Sequence, residues 1–394
     1  MRDLNDLLTT PDGVAFLASN DITINPEDFI ARLEPPVQSG LIHHTGAETH
    51  RKPIYALQQI YVDCTQSMLD RMKLLDRFDP YPDCEPFFLW IDTDLSGTDV
   101  LMHRLDWPLF NKKVSVRISA GAYDSRELRF IPIEASRVEQ ALEKLNTYLG
   151  QSITGRKKVT RSRARAKFEQ LQAVFLQQTD GMLSELNHRV IYFLLNHQVE
   201  LNPTSMIVSE LLDRDVITGE INTYLNHLDA AIDVFNDAVE ALRAQDIDPK
   251  VKPLAADYLP LHFSCLDCYR RLRLHRERQG QDQFATASCK CQRQYRFHLG
   301  RHELSMDAIA QAGPWSPDVS LTLFLNDWVS GYIGGGSSGI YYGLVMKAVL
   351  EKVLHKRRVP ILLPQATRAA RDDPADVDSL LYRYLRDETG QDHA

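Results

Sequence analysis

Four of the six cysteines fall in two close pairs, in FSCLDCYRR and ASCKCQRQ, and nothing else in the chain constrains its fold as tightly. Cys265 and Cys268 make a C-x2-C, and Cys289 and Cys291 make a C-x-C. Thiolates in two such pairs suit the tetrahedral coordination of zinc, and the 20 residues between the pairs are enough for a small ribbon. With four protein ligands and no open position, the expected ion is a structural zinc. Cys64 and Cys84 stand apart, on a predicted helix and just before a predicted strand, and read as ordinary core or near-surface thiols.

The chain has 394 residues, which suits one large or two to three smaller domains, and its apolar and charged content is that of a globular protein. No apolar run approaches the roughly 18–20 residues that span a bilayer. The N-terminus, MRDLNDLLTTPDG, carries acids early and has no apolar signal core, so a cytoplasmic protein without a membrane partner is expected. A net charge of −8 argues against a general nucleic-acid coat protein and leaves room for a local basic patch.

The hydrophobic pattern predicts an α/β fold. PFFLWI is a compact apolar run ending in acids, as in a central parallel strand. KKVSVRISA, LRFIPIE, VSLTLFL and RVPILLP read as further strands. Apolar residues at intervals of three and four predict a helix from Pro53 to about Leu75, another over VEQALEKLNTYLG, and one over INTYLNHLDAAIDVFNDAVEALRAQ. A long helical segment from Thr160 to His197 places Phe168, Leu171, Phe175, Leu186, Val190 and Phe193 on one stripe. The expected architecture is a discontinuous Rossmann-like parallel sheet with an inserted helical module and a small zinc-ribbon-like module. Its segments are 1–155 (first half of the Rossmann-like domain), 156–250 (helical insertion), 251–305 (zinc-binding module), 306–364 (second half) and 365–394 (peripheral tail).

Three stretches suggest chemistry. In WVSGYIGGGSSGIYYGLV, Gly334, Gly335 and Gly336 precede a helix predicted from Ile340 to about His355. Backbone N–H groups at such a turn can hold an anion, with Ser337 and Ser338 as caps or donors. The pattern matches neither G-x-G-x-x-G nor a Walker loop, and a plain strand–helix turn would look the same. WIDTDLSGTDVLMH puts Asp92 and Asp94 at the carboxyl end of a predicted buried strand, with His103 beyond. In open α/β sheets that end lines the binding crevice, although helix capping would also explain the acids. HHTGAETHRKP gathers three histidines ahead of Pro53, and His44 and Gly46 fall one residue short of an H-x-G-H phosphate-gripping pattern. Arg270, Arg271, Arg273, Arg293 and Arg296 surround the cysteines, and RKKVTRSRARAK (156–167) opens the long helix; both sets read first as solvated cations.

Taken in order, these segments resemble the BshC-type cysteine ligases of bacillithiol biosynthesis. TGAE precedes PIYALQQIY, where that family has a TG-x-Q loop and a PLY segment. PFFLWIDTDLSGTDVLMH keeps Trp90 and His103 at the family's separation, with Asp94 at the place of its glutamate. SPDVSLTLFLND, YIGGGSSGIYY and VPILLP then follow in the family's order. The chain differs from the pattern at Ser96, Gly97, Thr322 and Ser338.

The resemblance implies a Rossmann-like core of the class I aminoacyl-tRNA-synthetase type. It implies a ligase that forms an amide between an amino acid, cysteine or another, and a small amine such as an amino sugar. Asp92, Asp94 and His103 would then serve amine orientation or proton transfer. His44, Gly46, Gly334, Gly335, Gly336, Ser337, Ser338, Asn326 and Asp327 would bind substrate or nucleotide, with ATP or ADP as the expected nucleotide. A homodimer is compatible with this reading. The alternative is a non-catalytic, zinc-containing relative that binds RNA or a partner protein.

Overall fold

The computed structural model describes residues 1–36, 51–95, 102–109, 112–325, 327–335, 338–364 and 379–386. The chain divides into two compact units. Unit 1 comprises Met1–Leu57, Leu74–Leu89 and Thr204–Ala366, and unit 2 comprises Gln58–Lys73, Trp90–Pro203 and Thr367–Ala394. The five segments expected from sequence divide the chain differently; of the middle helices, those up to Val199 fall in unit 2 and those from Val208 in unit 1.

The strands in chain order are β1 (Ile22–Thr23), β2 (Lys52–Gln59), β3 (Cys84–Ile91), β4 (Arg104–Leu109), β5 (Lys112–Arg117), β6 (Ser205–Ile207), β7 (Tyr258–Ser264), β8 (Arg271–Gln279), β9 (Asp282–Ser288), β10 (Gln294–Gly300), β11 (Trp315–Pro317), β12 (Gly331–Ile333) and β13 (Ile361–Leu362). Six of them form a parallel sheet in the order β1-β13-β12-β2-β3-β6. All three residues of β12 and both of β13 are buried, as a sheet covered on both faces requires. Tyr55 of β2 stacks on Phe87 of β3 with centroids 5.8 Å apart, and lies 5.0 Å from Tyr332 of β12. This aromatic layer is a main part of the core of unit 1.

Several expected elements change type. Residues from Pro53 begin as strand β2, and the helix starts only at Gln66, with the Thr65 hydroxyl accepting from the Met68 amide at 3.3 Å. IYALQQIYV satisfies the helical period by chance, and pairing between β12 and β3 decides otherwise. VSLTLFL is a short helix, Val319–Thr322, followed by a 3-10 turn, Leu323–Leu325; the strand lies later, at β12. LRFIPIE opens with a 3-10 turn, Leu128–Phe130, because Pro132 cannot donate to a ladder and only bridges Met182. The segment from Thr160 to His197 holds two helices, Lys158–Leu176 and Leu183–Val199, separated by the turn-forming QQTDGM. Of its apolar stripe all but the half-buried Phe193 is buried. The next helical stretch also breaks, at His227, into Thr218–Asn226 and Leu228–Ala244.

Unit 1 also contains an antiparallel sheet, β10-β9-β8-β7-β11, which carries the cysteines. Gly280 opens the β8–β9 turn with φ 63°, as a type II′ hairpin requires. Unit 2 holds the β4–β5 hairpin and the helices Ala135–Ser152, Lys158–Leu176, Leu183–Val199 and Leu380–Arg386. The last of these lies in the stretch expected to be a tail, and its Leu380, Leu381, Tyr384 and Leu385 are buried. Among the described residues no helix is long and apolar enough to cross a membrane.

Candidate functional site

The ribbon brings all four predicted cysteines together. Their sulfurs lie within 4.8 Å of one another, the closest pairs being Cys265–Cys291 and Cys268–Cys289, both at 3.5 Å. A tetrahedron with metal–sulfur bonds of about 2.3 Å has sulfurs about 3.8 Å apart, so the spacing is that of a metal site and is far too long for disulfides. Each pair sits on a tight turn. The Cys265 amide donates to the Arg270 carbonyl (2.9 Å) and the Cys289 amide to the Arg293 carbonyl (2.8 Å). Tyr269 and Gln292, the residues just after each pair, have φ of 56° and 72°. Non-glycine residues there cost about 1–2 kcal/mol each, which a bound ion can offset.

The electrostatics point the same way. Burial raises the Cys265 thiol, but the Tyr295 hydroxyl (3.2 Å) and the amides of Asp267 and Cys268 outweigh it, bringing it down to about 6. The Cys289 thiol is pushed up to about 12 by burial, with its sulfur neighbours adding to the rise. Four thiolates this close cannot all ionise without a cation among them. The four cysteines can therefore hold a metal ion, and the geometry is compatible with zinc.

In unit 2 the chain leaves β3 directly into Asp92. The Asp92 carbonyl accepts from the Arg129 amide and the Asp94 carbonyl from the Leu128 amide, both at 3.1 Å. The Asp92 side chain is only 3 % exposed. That of Asp94 accepts from Gln59 Nε2 at 3.1 Å and from the Leu95 amide at 2.8 Å. Beside this turn the fully buried Glu127 pairs with Arg129 at 2.8 Å. His103 is buried just ahead of β4, its carbonyl accepting from the Ile118 amide at 2.9 Å.

A further buried acid, Asp63, has no counterpart among the residues expected from sequence. Asp63, just past the carboxyl end of β2, accepts from the Ser379 hydroxyl, the Leu381 amide (2.9 Å) and the Cys64 amide (2.7 Å). Burial raises its carboxyl to about 6 against these donors, with the Asp106 charge adding to the rise. The signal was present: IYVD repeats LWID, an apolar strand closed by aspartate, but the helical reading of 53–75 concealed it. Asn187 Nδ2, also unread, ties the Ile60 carbonyl (3.0 Å) to that of Met102 (2.7 Å).

The glycine segment follows β12 and leads into the helix Ser338–Lys352. A Cβ on Gly334 would stand 3.0 Å from Leu363 Cδ2 and 3.1 Å from Ile361 Cγ2, so close packing beside β13 favours glycine there. Asp327 is engaged by Lys356 at 2.5 Å. His44, Gly46, Asn326, Gly336 and Ser337 lie outside the described residues, as does the side chain of Ser338; Gly335 directly follows Gly334. Arg156, Lys157, Lys158, Arg161, Arg163 and Arg165 of the basic run are exposed.

Fold and site together define an α/β protein with a four-cysteine centre able to hold a metal. No protein-family model matches the chain, and no curated protein matches it.

Proposed function

We propose that the four cysteines hold a structural zinc, and that the chain is a ligase-type enzyme forming an amide between an amino acid and a small amine. The observation that supports the enzymatic reading is the buried Asp92 at the carboxyl end of β3, with Asp94 two residues on and the Glu127–Arg129 pair beside them. Carboxyl ends of parallel strands are where α/β proteins bind ligands. In this reading Asp92 and Asp94 accept hydrogen bonds from the incoming amine and orient it, and His103 takes up its proton. Amide formation in water requires an activated carboxylate, which ATP would supply. The resemblance carried by TGAE, PFFLWIDTD and YIGGGSSGIYY, in that order, points to cysteine as the first amino acid to test.

The test is thermal shift of the folded chain with cysteine, other amino acids, ATP and ADP, alone and in pairs. Stabilisation by an amino acid or nucleotide, lost in Asp92→Asn, is the expected result. No shift with any of them, on protein whose circular dichroism shows it folded, overturns the reading.

A further inference from the structure

β8 and β10 bury alternate residues. Leu272, Leu274, Tyr295 and Phe297 point into the ribbon core, and the intervening side chains form an outer face. The strand register aligns that face in rows. Arg273 of β8 is followed two residues on by His275, which lies opposite Thr286 of β9, itself opposite Arg296 of β10. The concavity over this face has a volume of about 810 Å³ and is lined by Arg270, Arg271, Arg273, Lys290 and Arg296, with Glu277 as its acid. Arg273 and His275 also line a second concavity of about 470 Å³, reached by Lys250 and Lys252. The two share a wall, but the second also carries Asp318 and Asp257, the latter 2.9 Å from His275, so the excess of cations lies over the first.

Arg273 and Arg296 are partly neutralised by Asp318 and Glu277, each at 3.3 Å. Arg270 and Lys290 have no ion pair among the described residues. Both sit on the cysteine turns, Arg270 two residues after Cys268 and Lys290 between Cys289 and Cys291. In a protein of net charge −8 this is a local concentration of cations.

We propose that this face of the ribbon binds single-stranded nucleic acid, and that the metal is needed because it fixes the turns that carry Arg270 and Lys290. A folded protein partner would call for a cluster of apolar anchors at the centre of the patch, where the aligned row is His275, Thr286 and Arg296. Instead the Arg296 guanidinium lies 3.4 Å from the centroid of the Phe284 ring, a flat cationic platform on which a base can stack. Side chains on one face of β8 recur about every 7 Å, so Arg271, Arg273 and His275 form a row along which successive phosphates can run. The inference is independent of the ligase reading and its test shares no readout with it.

The experiment is fluorescence anisotropy of labelled single-stranded RNA and DNA oligonucleotides with the full zinc-loaded chain, from about 0.05 M salt upward. Neutralising about four phosphates predicts a log–log salt slope of about −3. In the double variant Arg270→Ala, Lys290→Ala the slope should become shallower by about 1.4, with affinity falling tenfold or more, while zinc content and circular dichroism stay unchanged. Chelation should abolish binding in the native chain. Three results would overturn the proposal: no binding of any strand at low salt, unchanged affinity in the double variant, or polyglutamate displacing the oligonucleotide as readily as unlabelled RNA does.

Discussion

Cys265 in the ribbon and Asp63 past the end of β2 are both buried acids, and their surroundings move them in opposite directions. The Cys265 thiol falls to about 6 while the Asp63 carboxyl rises to about 6. Both are buried and both accept backbone amides and one hydroxyl, from Tyr295 and Ser379 respectively. At Cys265 the donors outweigh desolvation, whereas at the fully buried Asp63 desolvation dominates and Asp106 adds to it. The difference shows two ways of holding an anionic group inside a protein. The ribbon gathers four sulfurs that a divalent cation can neutralise, and the strand end relies on a proton and three donors.

The comparison breaks most visibly if the metal is removed. Structural zinc contributes on the order of 10 kcal/mol to the folding of small modules. The ribbon, which buries one face of three strands, cannot replace that. Chelation, or Cys268→Ser with Cys289→Ser, should therefore unfold residues 265–300, which hold β8, β9 and β10, and leave the parallel sheet standing. Hydrogen exchange read by mass spectrometry checks this directly: lost protection should be confined to the ribbon peptides. Uniform loss, or none, would mean that the sulfurs do not staple the ribbon as described.

Asp63 offers the next largest effect, in the opposite sense. Its folded value of about 6 lies above the ordinary 3.8, so the folded chain binds the proton more tightly than the unfolded one. The stabilisation is complete below about pH 4 and is lost as pH rises through about 6, a span worth about 3 kcal/mol. Asp63→Asn keeps the neutral form at all pH. It should flatten the pH dependence of urea midpoints between about pH 4 and 7, and above that range it should be the more stable chain. A variant that keeps the native slope would assign the titration to another group.

These two sites were not equally legible. The cysteines could be read because ligand spacing is local and the C-x2-C and C-x-C turns need no tertiary information. PFFLWI could be read because a continuous apolar run at that length leaves few options. IYALQQIYV satisfied both the helical and the strand period, and only its neighbours in the sheet decide between them. Asp63 depends on Ser379, 316 residues away, which no local pattern can announce. Gly334 reads locally as part of a ligand loop, and the fold adds that a Cβ there would press on the side chains of Leu363, Ile361 and Ile340. The arginines around the cysteines were visible individually; that four of them line one concavity follows from the fold.

The smallest effect sharpens the comparison by touching the side-chain hydroxyl that donates at each site. Tyr295→Phe removes the hydroxyl that donates to Cys265 Sγ and accepts from the Leu266 amide at 2.8 Å. Loss of such a supporting hydrogen bond should weaken metal affinity by about 10- to 100-fold, measured by competition with a colorimetric chelator. Ser379→Ala removes the corresponding donor to Asp63 and should cost about 1 kcal/mol at neutral pH, where the carboxylate is ionised. Without that donor the Asp63 carboxyl rises further, so the cost should fall toward about pH 4, where both chains are protonated and only the loss of the hydroxyl's cap on the Tyr382 amide (3.0 Å) remains. If the alanine chain is equally destabilised at both pH values, Ser379 acts only as the cap of the helix Leu380–Arg386, and Asp63 is held by its two backbone amides alone.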